Sequence, residues 1–149
     1  MMHATLIPLE ATYPLRLAVL RPGGTLADCH FPSDTVPGGF HVGTFLAGRC
    51  VAVGSFGPER HPALEAAVPY RLRGMASAAD VRGKGCGRML LALALEELSR
   101  RGADLLWCNA RVGAIPFYQR MGFAGQGPRF DIAGIGPHQV MHRPIGPVG

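Results

Sequence analysis

Apolar residues in this chain fall into several runs of strand length and one long helical run, with turn residues between them. Residues 4–9 read as a first strand. Residues 13–20 carry the mixed apolar pattern of a short helix, stopped by Arg21-Pro22-Gly23-Gly24. From 25 to 39, Pro, Gly, Asp and Ser dominate and predict an irregular loop, long enough to serve as a substrate wall. Two strand signals, 40–47 and 49–56, meet at Gly48 like a hairpin. After a loop over 57–69, a third covers 70–77. An amphipathic helix runs from Gly83 to Arg101 and closes at Gly102. A buried strand over 105–109, a short helix over 115–121 and final strands over 129–132 and 139–143 complete the pattern.

This order alternates too little between strand and helix for a doubly wound parallel sheet. It predicts an α+β fold with a mixed, mostly antiparallel central sheet flanked by helices. At 149 residues the chain fits a single domain, 1–149, with a real core. Apolar content of 48% and charged content of 17% describe a folded protein. No apolar run approaches the roughly eighteen residues needed to span a bilayer, and the start lacks signal-peptide features. The expectation is a cytoplasmic protein with no membrane partner. Cys29, Cys50, Cys86 and Cys108 form no CxxC pair, which speaks against a disulfide framework or zinc site. The six histidines form no HxxxH or HExxH pattern, so no metal is expected. The net charge of +5 is dispersed, with no Lys/Arg run and no nucleic-acid module. An acidic, phosphate-bearing ligand explains part of that excess.

Chemistry concentrates at Val81-Arg82-Gly83-Lys84-Gly85-Cys86-Gly87-Arg88, where a glycine-rich turn opens the long helix. Glycines let the backbone bend and leave N–H groups uncovered. A helix N-terminus adds free donors and partial positive charge, and Arg82, Lys84 and Arg88 add full charges. The combination is an anion site suited to phosphates. A P-loop is excluded because Gly85, not Ser or Thr, follows Lys84. The dinucleotide fingerprint fails because its third glycine would fall on Arg88 or Leu90.

What remains, Arg82-x-x-Gly85-x-Gly87, resembles the pyrophosphate motif of the GNAT acyl-CoA N-acyltransferases. Asn109-Ala110-Arg111-Val112-Gly113-Ala114-Ile115-Pro116-Phe117-Tyr118, followed by Gly122-Phe123, resembles that family's second motif, in the right order and at the right separation. The resemblance covers residues 40–143 and implies a GNAT-like fold with acetyl-CoA, or another acyl-CoA, as donor. The donor would lie in a cleft where the third and fourth central strands splay. Main-chain groups of Met75, Ala76 and Ser77 would pair with the pantetheine arm. Arg82, Gly83, Lys84, Gly85, Cys86, Gly87 and Arg88 would hold the pyrophosphate. Ser77 departs from the family, which usually has a branched apolar residue there. Asn109 would contact the pantetheine or ribose side, or simply end its strand.

The implied reaction is direct attack of a primary amine on the thioester carbonyl. Tyr118 matches a tyrosine that serves many members as general acid. A phenol of pKa about 10 facing a thiolate of about 8–9 serves equally well as a hydrogen-bonding stabiliser. The Ala76 N–H would be the oxyanion donor. The family's usual strand glutamate is missing from Tyr70-Arg71-Leu72-Arg73-Gly74-Met75, which leaves Glu59, His61, Glu65, His41 and His138 as candidate bases. His138, in Gly134-Ile135-Gly136-Pro137-His138-Gln139-Val140-Met141, resembles the Gly-Ile-Pro-His-x-x-Met ending of a small bacterial subgroup of unassigned substrate. His41, in Phe40-His41-Val42-Gly43, resembles that subgroup's early strand. The expected function is therefore an N-acetyltransferase using acetyl-CoA, with an amine acceptor as partner and no nucleic acid. Family members are often homodimers. The rival reading is a non-catalytic acyl-CoA-binding sensor or regulatory module.

Overall fold

Each strand-length apolar run becomes a strand in the computed structural model, which describes residues 1–146. The strands are β1 (Met2–Ile7), β2 (Phe40–Leu46), β3 (Arg49–Pro58), β4 (Pro69–Ser77), β5 (Leu105–Arg111), β6 (Ala124–Ile132) and β7 (Gly136–Pro144). The helices are α1 (Tyr13–Leu15), α2 (Cys86–Arg100) and α3 (Ile115–Arg120). Hydrogen-bonded neighbours follow the order β1-β2-β3-β4-β5-β7-β6 in a seven-stranded sheet. The β1–β2, β2–β3, β5–β7 and β6–β7 ladders are antiparallel, and β4–β5 is parallel. This is the mixed, mostly antiparallel sheet that the pattern predicts.

Four expectations change in detail. The helix over 13–20 is instead α1, only three residues long, between a 3-10 turn (Leu9–Thr12) and a π turn (Arg16–Leu20). The loop over 25–39 is not wholly irregular, because it contains 3-10 turns at Leu26–Cys29 and Pro32–Thr35. Asp28 caps the first by accepting from the Thr25 N–H at 2.8 Å, and Asp34 caps the second by accepting from the Phe31 N–H at 2.9 Å. The long helix starts at Cys86 rather than Gly83, since Gly83 and Gly85 take φ of +82° and +86°, which no right-handed helix admits. β6 begins at Ala124, five residues before the predicted position; the stretch before Phe130 is held by backbone pairing with β7 and a register shift, not by apolar alternation.

Two compact units make up the chain: Met1–Pro58 with Leu72–Glu97, and Glu59–Arg71 with the chain from Leu98 onward. β4 is divided between them, so its ladder with β5 (Pro69↔Leu105 to Arg71↔Trp107) lies within the second unit. In the first unit, Leu90, Leu91 and Ala94 of α2 are fully buried at helical spacing. Gly54 permits that packing, since a Cβ there would stand 3.1 Å from Leu90, 3.3 Å from Met75 and 3.4 Å from Leu72. In the second unit, Leu105, Trp107 and Val140 form a core cluster with Leu64, Ala66 and Phe130 packed against it. Among the described residues no helix is long and apolar enough to cross a membrane.

Candidate functional site

The first unit carries the glycine-rich turn that the sequence marks as a phosphate-site candidate. β4 turns left-handed at Gly74 (φ +63°), just before Met75, Ala76 and Ser77. No side chain fits there, as a Cβ would lie 2.8 Å from the Phe31 ring and 3.3 Å from Arg16 Nε. At the end of β4 the Ala78 N–H donates to the Val51 carbonyl at 2.8 Å, and a 3-10 turn (Ala79–Val81) leads into the glycine loop. The Lys84 N–H closes that turn on the Val81 carbonyl. α2 makes its first bond from Met89 to the Gly85 carbonyl at 3.0 Å, so the N–H groups of Cys86, Gly87 and Arg88 have no intrahelical acceptor. Arg82, Gly83, Lys84, Gly85 and Arg88 are exposed, whereas Cys86 is buried. The Thr44 hydroxyl donates to the Cys86 carbonyl at 3.0 Å and pins this turn to β2. Beside it, the Arg49 guanidinium bonds both oxygens of Asp80, which pulls that carboxyl down to about 2.

His41 lies in a buried network that the sequence did not reveal. Arg16, fully buried, donates to both carboxylate oxygens of Asp34, to the Cys29 carbonyl and to Ser55 Oγ, all at 2.7–2.8 Å. Its guanidinium also lies 4.0 Å from the centre of the Phe31 ring. Ser55 Oγ is in turn 2.7 Å from His41 Nδ1. Burial lowers the His41 pKa, with the charge of Arg16 assisting against the pull of Asp34. For Asp34, burial pushes upward, but hydrogen bonds from Arg16 and the Phe31 N–H hold the carboxyl below its ordinary value. The available signal was a single arginine inside the apolar run Leu15-Arg16-Leu17-Ala18-Val19.

In the second unit, register sorts the remaining candidates onto two sheet faces, because paired residues point the same way. Arg71↔Trp107, Asn109↔Val140, Arg111↔His138 and Phe130↔His138 share one face. Leu106, Cys108 and Ala110 alternate to the other. There the Tyr118 hydroxyl bonds the Cys108 thiol, with Phe117 and Phe123 packed edge-on at 5.2 Å. Burial drives the Cys108 thiol up to about 12 and Tyr118 well above its ordinary value, so both are protonated at neutral pH. Tyr118 and His138 thus stand on opposite faces of this sheet, and Asn109 shares the face of His138. His138 is buried, only 4% exposed, and stacks on Phe130, with ring centroids 6.0 Å apart. Its Nδ1 lies 2.7 Å from the Gly136 carbonyl, which can only accept; Nδ1 therefore carries a hydrogen, and in the neutral ring the lone pair is on Nε2.

The other base candidates are committed to the 59–67 loop. Glu59 accepts from Arg71 at 2.9 Å, and Arg71 lies 4.7 Å from the centre of the Trp107 ring. The Trp107 indole N–H donates to the Glu59 carbonyl at 2.9 Å. His61 Nδ1 accepts from the Ala63 N–H at 3.0 Å and the ring meets Trp107 edge-on. Glu65 borders an open hollow of about 850 Å³ with Arg60 and Leu64.

Comparison with known proteins adds to this geometry. The family model for acetyltransferases of the GNAT family matches residues 13–123. YitI of Bacillus subtilis (strain 168), an uncharacterized N-acetyltransferase, is 37% identical over 145 residues, 97% of either chain. That match reaches well into the N-terminal quarter, beyond the span of the sequence motifs. Escherichia coli ElaA has a similar structure, with TM-score 0.76, 20% identity and coverage of 96% of this chain and 99% of that one. An aminoglycoside 6′-N-acetyltransferase complexed with coenzyme A shares the fold at TM-score 0.70 and 13% identity, over 98% of each chain.

Proposed function

The chain belongs to the GNAT acetyltransferase family, and we propose that it moves the acetyl group of acetyl-CoA to a primary amine by direct attack. The observation that carries the donor assignment is the turn at Gly83 and Gly85. It leads into three helix N–H groups without intrahelical acceptors, ringed by exposed Arg82, Lys84 and Arg88. That is a cradle for a pyrophosphate, where oriented donors and full charges add. Met75, Ala76 and Ser77 pair with the pantetheine arm, and Asn109 contacts the same cofactor. The Ala76 N–H faces the oxyanion as the tetrahedral intermediate forms.

In the reaction the amine nitrogen bonds the carbonyl carbon, the carbon–sulfur bond breaks, and a proton passes from nitrogen to a base while the thiolate takes one from an acid. A primary amine of pKa about 10 is mostly protonated at neutral pH, so the base is needed. His138 is the base this reading favours, because its Nδ1 hydrogen is spent on the Gly136 carbonyl and its Nε2 lone pair is left to accept. Tyr118 stabilises the leaving thiolate as a hydrogen-bond donor; its raised pKa keeps it protonated and makes full proton transfer to the weaker-base thiolate uphill. His41, bonded to Ser55 within the Arg16 network, holds β2 and β3 in place beside the loop and is a weaker base candidate.

Thermal melting with acetyl-CoA tests the donor assignment, with adenosine 3′,5′-bisphosphate as control. Ligand at a hundred times its dissociation constant adds about 2.7 kcal/mol, a rise of several degrees for a chain of this size. No shift at millimolar acetyl-CoA would contradict the reading. A shift without turnover of any amine would point to the sensor instead.

A further inference from the structure

Resting on the acetyl-transfer reading above, we infer that the acceptor is an amine that also carries a carboxylate, of the α-amino acid type with an apolar side chain, and that Arg111 binds that carboxylate. Arg111 ends β5 directly across from His138, on the same face. It is exposed, with no hydrogen-bond or ion-pair partner among the described residues. Adjacent cross-strand side chains stand about 5 Å apart at Cβ, which brings a guanidinium within reach of any molecule whose amine meets His138.

The carboxylates of this unit do not offset that charge. Glu59 is bound to Arg71, and Asp104 accepts from the Ala67 and Val68 N–H groups at the other end of β5. Asp131 pairs with Pro137, which turns it to the opposite face from Phe130 and His138. Glu65 sits out on the 59–67 loop. A purely cationic acceptor would meet like charge at Arg111 and no carboxylate beside His138. An amino acid satisfies each feature: its carboxylate takes the planar fork of the guanidinium, its amine faces His138, and its side chain lies on the partly exposed Phe130 ring.

The test measures acetyl-CoA-dependent rates on two acceptor pairs, L-phenylalanine with phenethylamine and L-leucine with isoamylamine, in the wild type, R111Q and R111K. The members of each pair differ by the carboxylate alone. The wild type is expected to favour the amino acid of at least one pair in kcat/KM. R111Q is expected to lower that preference by about tenfold or more, chiefly through KM, with R111K in between. Equal losses on both members of the pair, or a wild type that prefers the decarboxylated amines, would overturn the inference. Absence of amine-dependent turnover with these and all other amines would instead bring down the acetyl-transfer reading on which it rests.

Discussion

The Tyr118 hydroxyl is the group whose chemistry this fold constrains most. It is buried between Phe117 and Phe123 and bonded to the Cys108 thiol, and burial raises both pKa values. Tyr118→Phe is expected to lower kcat by about 10²–10⁴-fold while acetyl-CoA affinity, read by calorimetry, is retained. Under the proposed mechanism Cys108 would act on the reaction only through Tyr118. Burial is the main cause of the raised tyrosine pKa and the bonded Cys108 adds to it, so Cys108→Ala should move the alkaline limit of the kcat–pH profile downward. A purely structural thiol would lower stability and leave that limit in place. His138→Gln should cost a comparable factor in kcat at neutral pH and recover partly as rising pH deprotonates the amine itself. Motif spacing singled out Tyr118 and Asn109 as candidates. It did not reveal Cys108 as the partner of Tyr118, because nothing in Leu106-Trp107-Cys108-Asn109 says which strand face α3 covers.

At the scale of elements, the glycine loop and the Arg16 network carry the strongest expectations. Gly85 takes φ +86° with nothing within 4 Å of an added Cβ, so Gly85→Ala strains the backbone without a clash. It should lower stability by about 1–2 kcal/mol and weaken acetyl-CoA binding by more than that strain accounts for. Asp34→Asn leaves the buried Arg16 without its counter-charge. The expected loss at neutral pH is about 3–5 kcal/mol, visible as a melting temperature lower by roughly 6–20 °C. Because the folded-state pKa of Asp34 is depressed, that stabilisation is fully present above the unfolded value of about 3.9 and is lost as pH falls through the lower folded value. Wild type and variant should therefore begin to converge in stability as the pH falls below about 4. The strands and α2 were readable from apolar period. The network was not, since its partners Cys29, Asp34 and Ser55 lie 13 to 39 residues from Arg16. Likewise Gly125-Gln126-Gly127-Pro128 in β6 gives no alternation to read, although β7 pairs with the strand on both sides of it.

Over the whole molecule, element order foretold the mixed sheet, because the strand-length apolar runs became strands and the one long run became α2, while the run over 13–20 broke into turns. The glycine-rich turn was equally legible, being local to eight residues. The proximity of Arg111, His138 and Phe130 was not, because it arises only through the β5–β7–β6 pairing, and that register depends on turns and a bulge. The most direct test of acetyl transfer is amine-dependent release of the CoA thiol, followed by thiol titration and mass detection of the N-acetyl product. The wild type is expected to release one thiol per acetylated amine, with the rate lowered about a hundredfold or more in Tyr118→Phe. A protein that binds acetyl-CoA yet releases no thiol with any amine would contradict the account.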